Sequence, residues 1–157
     1  MSTEVLPSTL IGRGSVGLEL SSAELQEIVE QALDAVGSGE RVLAIIPDKT
    51  RDDNTDTLFP FAAHTLVGKG VSVFDVLVAQ GTHPPMTHEQ KLLKIGEHDF
   101  TGRLFDHRWD REDELIMLGE LTAQKVNELT GGLIVGPVPV RLNKLLRPGA
   151  YDTVLVF

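Results

Sequence analysis

The segment Arg41-Val-Leu-Ala-Ile-Ile46 decides the fold. One charge stands at its entrance, an unbroken apolar run follows, and Pro47 stops it. A half-exposed strand would alternate polar and apolar residues, so this run reads as a strand covered on both faces, the pattern of a parallel sheet between helices. Further on, Val71-Ser-Val-Phe-Asp-Val-Leu-Val-Ala79, closed by Gly81, reads as a second central strand.

Helical patterns surround these two strands. Leu25, Ile28, Val29, Ala32, Leu33 and Val36 recur at helical spacing behind a Ser21/Glu24 capping box, with Gly37 expected to close the helix. A second helix is expected from near Thr57, with Pro60 in its first turn, ending by Gly68 or Gly70. Its buried side would be Leu58, Phe59, Ala62, Ala63 and Leu66. Thr87 with Gln90 caps a third helix that ends at Gly96. Alternating strands and helices predict an α/β fold: an open, mostly parallel, Rossmann-like sheet flanked by helices, with right-handed crossovers.

Beyond Arg103 the pattern loosens, and an irregular or hairpin-containing C-terminal part is expected. Leu115 to Leu118 and Leu133-Ile-Val135 onward to Val140 look like strands on either side of Thr130-Gly-Gly132, followed by a short helix near Asn143 to Leu146. Tyr151-Asp-Thr-Val-Leu-Val-Phe157 has the β-branched character of a central strand. No repeat, low-complexity tract or linker marks an internal boundary, so residues 1–157 read as a single domain.

Composition narrows the function. With 14 basic and 23 acidic residues the net charge is −9, which argues against a nucleic acid or an anionic membrane as partner. The absence of cysteine removes disulfides, thiolate metal sites and a cysteine nucleophile, leaving His and carboxylates as the available metal ligands. Met1 to Val16 lacks a secretory pattern, and no apolar run approaches the roughly 20 residues of a membrane span. A soluble, cytoplasmic protein is the expectation.

Two polar clusters follow the two best strands directly: Pro47-Asp-Lys-Thr-Arg51 and Gln80-Gly-Thr-His83-Pro-Pro-Met-Thr87. If the strands are parallel, both clusters emerge at the edge where open α/β sheets bind ligands, so Asp48, Thr50, Arg51, Thr82 and His83 would share one crevice. Arg51 offers a planar fork for a carboxylate or phosphate, with the Thr50 hydroxyl beside it. The plainer reading is a surface ion pair of Arg51 with Asp48 or Asp52. His83, after the flexible Gly81 and before two stiffening prolines, is placed to act as a general base near neutral pH. A lone histidine more often hydrogen-bonds loop backbone. His64, His88 and His98 read as structural or solvated, the last two on or just after a helix rich in Lys and Glu; His107 stands at a strand end and is a candidate supporting residue. No P-loop, dinucleotide-type glycine turn, Gly-x-Ser-x-Gly elbow or His-Glu-x-x-His helix is present.

The pair of motifs, Pro47-Asp-Lys-Thr-Arg51 after one strand and Gly81-Thr-His-Pro-Pro-Met-Thr87 after the next, resembles the N-terminal domain of the nickel-dependent lactate racemase family. Asp106-His107, Leu118-Gly119 and the final strand extend the likeness through most of the chain, although Pro84 stands where many relatives carry a basic residue. The resemblance implies a racemase or epimerase of 2-hydroxy acids that uses a nickel-pincer nucleotide: a histidine removes the hydroxyl proton while the cofactor accepts hydride from the α-carbon. By motif it makes His83 one of two acid/base histidines and Arg51 the carboxylate binder. It also puts Asp48, Lys49, Thr50, Arg51, Gly81 and Thr82 around the cofactor. The second histidine, the nickel ligand and the attaching lysine would belong to a C-terminal domain or complementary subunit outside this chain, leaving the isolated chain inactive. The alternative is a non-catalytic module that binds a phosphate, carboxylate or nucleotide through Arg51, Thr50 and Thr82.

Overall fold

A computed structural model of the protein describes residues 10–157. The first nine residues of the segment read for a secretory pattern lie outside the described residues.

Strands β1 (Arg41–Ile46), β2 (Val73–Val78), β3 (Leu104–Asp106) and β6 (Thr153–Val156) form one sheet in the order β3-β2-β1-β6. Every neighbouring pair is parallel: Ala44 lies opposite Val76 on one side and Leu155 on the other, and Val78 lies opposite Asp106. β1 and β2 are therefore the central strands, and both are almost wholly buried. Alternation divides their side chains between the two faces. Val42, Ala44, Ile46, Phe74, Val76 and Val78 join the core under helices α1 (Ser22–Ala32), α2 (Thr55–Lys69) and α3 (His88–Ile95), against Leu33, Phe59, Ala62, Leu66 and Ile95. Leu43, Asp75 and Leu77, on the opposite face, are buried as well. Phe59 stacks on Phe74, with ring centroids 5.2 Å apart, and touches Phe157 at 5.6 Å.

Both expected capping boxes are formed. Ser21 and Glu24 close the start of α1, and Thr87 and Gln90 that of α3. α1 stops at Ala32 rather than running to Gly37, because a tight turn takes over in which Leu33 and Val36 still reach the core. α2 starts at Thr55, before the expected Thr57: the Asp53 carboxylate accepts the Thr55 amide at 2.9 Å and sets an earlier first turn. Pro60 consequently lies inside the helix rather than in its first turn. Gly70, at φ 73°, ends α2 in the left-handed conformation.

The C-terminal part is the antiparallel pair β4 (Leu115–Leu121) and β5 (Val138–Asn143), with α4 (Ala123–Leu129) between them. α4 was not expected from the sequence; it is a seven-residue helix that buries only Val126, and its signal is the Thr122 hydroxyl accepting the Lys125 amide. Leu133 to Val135 do not form a strand and remain exposed, since pairing with β4 begins only at Val138. The short helix near Asn143 is a single 3-10 turn, Lys144–Leu146. β6 has the composition of a central strand but pairs only with β1 among the described residues, leaving Val156 76% exposed.

Candidate functional site

Because the sheet is parallel, β1, β2 and β3 all deliver their carboxyl ends to one edge. There the two polar loops meet around a cavity of about 260 Å³ whose lining includes Asp48, Arg51, Gln80, Gly81, Thr82 and His83. Of the residues expected to share one crevice, Asp48, Arg51, Thr82 and His83 line this cavity and Thr50 does not.

Each loop is held by its own backbone. The Arg51 amide donates to the Asp48 carbonyl at 3.2 Å, turning the first loop back on itself. The His83 amide donates to the Gln80 carbonyl at 3.1 Å, a turn that needs the positive φ of 57° at Gly81. Lys94 of α3 donates to the Arg51 carbonyl at 2.9 Å and to the Asp53 carboxylate at 2.7 Å, tying the first loop to the helix that follows the second.

Asp48 joins the loops. It is 4% exposed, and its Oδ2 lies 2.5 Å from His83 Nδ1, while its Oδ1 accepts both the Thr50 amide at 3.0 Å and the Thr50 hydroxyl at 2.5 Å. Burial alone would raise its pKa, but the hydrogen bonds from Thr50 and His83 outweigh it and hold the carboxyl below its ordinary value. Facing an ionised carboxylate, Nδ1 of His83 is the nitrogen that carries a proton, which leaves Nε2 of the neutral ring as an acceptor. The His83 side chain is 48% exposed, within reach of a ligand.

The arrangement differs from the ion pairs that sequence spacing suggests for Arg51. Asp48 is engaged by Thr50 and His83, and Arg51 forms an ion pair with neither Asp48 nor Asp52, so the exposed Arg51 stands at the cavity with its guanidinium available. Thr50 supports Asp48, and neither it nor the exposed Lys49 is part of the cavity wall. Gly81 and Thr82 are part of it. His107, at the end of β3, lies 3.4 Å from the Asn143 amide nitrogen and does not line the cavity.

Two features escaped the sequence. Lys91, on the helix read as solvated, is buried and pairs with Asp106 at 2.5 Å. Gln80, 3% exposed, lies in the wall with its Oε1 unpartnered. Lys91 was detectable in part, since the capping box at Thr87 fixes the helical phase that puts Lys91 and Ile95 on one face.

The donor set around the cavity, a guanidinium, a threonine hydroxyl and a glycine turn, suits a carboxylate or the anionic part of a nucleotide. Among the described residues no group of three or more His, Asp or Glu side chains is arranged to hold a metal ion. A metal in this site would draw its ligands from elsewhere.

A larger cavity of about 610 Å³ opens at the other end of β2, beside Phe74 and Phe100. Of its charged groups, Asp75 and Arg103 are paired with each other at 2.6 Å, which leaves, among the described residues, the carboxylates of Glu97 and Asp99 and no free cation in its wall. The smaller cavity, which combines a base with an anion binder, is the better candidate for chemistry.

No helix among the described residues is long and apolar enough to cross a membrane. The family described as lactate racemase N-terminal domain matches residues 15–129. A crystal structure of a protein from Thermotoga maritima, solved as a structural genomics target, is similar with a TM-score of 0.80 at 27% sequence identity. The match covers 87% of this chain and 33% of that one, so the chain spans about a third of the length of its structural neighbour. No curated protein matches the chain.

Proposed function

The chain belongs to the lactate racemase N-terminal domain family, and from that membership we propose that it forms one half of a racemase or epimerase site for a 2-hydroxy acid. The observation that carries the reading is the Asp48–His83 pair beside Arg51 in one cavity. A 2-hydroxy acid needs a cation for its carboxylate and a base for its hydroxyl proton. Arg51 serves as the first and His83 Nε2 as the second, with Asp48 orienting the ring and stabilising the imidazolium that forms. Thr50 holds Asp48 in place. When bound, a nickel-pincer nucleotide supplies the acceptor for the α-hydride; Arg51, Gly81 and Thr82 are the residues of this chain suited to its anionic part.

The other half of the site is assigned to a C-terminal domain or complementary subunit, which carries the second histidine, the nickel ligand and the attaching lysine. The isolated chain is inactive in this reading. Support comes from the apolar surface of the C-terminal part: Met117 and Leu118 on β4 and Leu133 to Val135 in the following loop are all at least half exposed. Apolar surface of this kind is the mark of a face that meets another domain.

The test is racemisation of D- and L-lactate by the chain charged with the nickel-pincer nucleotide, alone and mixed with a family C-terminal domain. Turnover is expected only in the mixture and is lost in His83→Ala. Cofactor binding without turnover, abolished by Arg51→Ala and indifferent to His83→Ala, would replace this reading with a non-catalytic binding module.

A further inference from the structure

Arg51 is held by its backbone at two points. Its amide donates to the Asp48 carbonyl and its carbonyl accepts from Lys94 Nζ at 2.9 Å, while the exposed side chain is left to the cavity. Among the described residues, Lys94 is the one side chain from another element that hydrogen-bonds to residues 49–52. The same Nζ donates to Asp53 Oδ2 at 2.7 Å, and Oδ1 of that carboxylate accepts the Thr55 amide at the start of α2. The Lys94 side chain is only 11% exposed. Lysines usually keep the ammonium in water, so one that gives up solvent for a backbone carbonyl and a carboxylate fixes both in place.

α3 carries Lys94 in its last turn and starts from the other loop of the site. Its N-cap Thr87 is locked by the capping box with Gln90 and closes the stretch that opens with Gly81 and His83. A helix of about two turns therefore runs from the loop of the base to the loop of the anion binder. His83 reaches the first loop separately, through Asp48. Resting on the functional reading above, we propose that Lys94 is a positioning residue: by gripping the Arg51 carbonyl it sets where the guanidinium stands relative to His83. A 2-hydroxy acid carries its carboxylate and its hydroxyl on one carbon, so the spacing of the two side chains decides whether both groups are met at once.

Charge is the competing explanation, because Lys94 is a cation close to an anion binder. Asp53 pairs with it, so the two together add no net charge. Lys94→Met alone leaves Asp53 uncompensated and would repel an anion whatever the loop does. Lys94→Met combined with Asp53→Asn removes both charges and still takes the donor from the Arg51 carbonyl. Asp53→Asn alone keeps that donor.

The experiment compares the isotope-labelled full chain as wild type, Asp53→Asn and the double variant. NMR reads the backbone order of residues 49–52 without ligand, and D-lactate is then titrated while the Arg51 and His83 side chains are followed. In the wild type the Lys94 ammonium is expected to exchange its protons with water more slowly than that of the exposed Lys49. The double variant is expected to lose order at residues 49–52, to keep the nitrogen shifts of His83 and to bind lactate roughly tenfold more weakly, with Asp53→Asn at or above wild-type affinity. Lys94 exchange as fast as that of Lys49, undiminished order at residues 49–52 in the double variant, equal weakening by Asp53→Asn alone, or disorder spread through the whole chain would each overturn the proposal. Silence of the wild-type Arg51 and His83 side chains toward lactate would overturn the functional reading, while the loop order still decides whether Lys94 holds Arg51. A lactate response equal in the wild type and the double variant overturns this inference alone.

Discussion

His83 Nδ1 lies 2.5 Å from Oδ2 of Asp48, a residue 35 positions earlier that is buried beneath the loop His83 occupies. β1 and β2 run in register, Ile46 beside Val78, so the loops after them start side by side and this contact follows from the pairing of the strands. Its chemical effect is to choose a tautomer. A ring whose Nδ1 proton is held by a carboxylate presents Nε2 as the base.

Asp48→Asn tests that choice. An amide side chain can satisfy either ring tautomer, so nitrogen-15 shifts of His83 are expected to change from the Nδ1-protonated form to a mixture. In the proposed racemase assembly, turnover is expected to fall about a hundredfold or more. Unchanged His83 nitrogen shifts would remove Asp48 from the mechanism.

Asp53 anchors the first loop through Lys94. Burial would raise its pKa, but the hydrogen bonds from Lys94 and Thr55 prevail and bring it down to about 2. A depressed carboxyl pKa contributes stability that is fully present above the unfolded value near 4 and is lost as pH falls toward about 2. Asp53→Asn is expected to cost about 1–2 kcal/mol at pH 7 by urea denaturation, allowing for the partial exposure of the pair. The gap between variant and wild type should close between pH 4 and pH 2; a gap that persists at low pH would contradict the assignment.

On the far face of the sheet, Asp75 accepts from Arg103 at 2.6 Å and from the Tyr151 hydroxyl at 2.7 Å. Burial first, and then the bond to Asp75, push the tyrosine pKa up to about 12. Tyr151 is the one tyrosine in the chain, so its ionisation can be followed directly by ultraviolet absorbance. Titration near pH 12 is expected, moving down in Asp75→Asn. The raised value also means that this group's contribution to stability is intact below pH 10 and lost as pH rises toward 12. A wild-type midpoint near 10 would show that the hydroxyl is solvated.

Gly96 ends α3 at φ 64°, and a Cβ there would lie 2.3 Å from the Asp56 carbonyl oxygen at the start of α2. Gly96→Ala combines left-handed strain with a backbone collision, so a loss of about 3 kcal/mol is expected in denaturant unfolding. A variant within about 0.5 kcal/mol of wild type would mean that the two helices separate easily.

Much of this was legible in the chain itself. The apolar runs at Val42 to Ile46 and Val73 to Val78 permit only strands covered on both faces, and the capping boxes at Ser21 and Thr87 locate two helix starts. Those signals are local, and so is the chemistry of the two loop motifs. The weaker signals failed where a distant contact decides: α4 is a helix of only seven residues, Leu133 to Val135 have strand composition but no partner, and the start of α2 depends on which carboxylate reaches Thr55.

For the candidate site, sequence alone determined which groups are available, Arg51, His83 and a nearby carboxylate, and that parallel strands would bring them to one edge. The tertiary structure decided how they are paired. Asp48 is spatially as close to His83 as to its neighbour Thr50, and that choice depends on loop turns and strand register that no local spacing records. Burial is decided in the same way: Lys91 and Gln80 are polar residues on exposed-looking segments until α3 and the β2 loop are packed at the edge of the sheet. Hydrogen bonding and desolvation act through space, so the assignment of partners belongs to the folded chain.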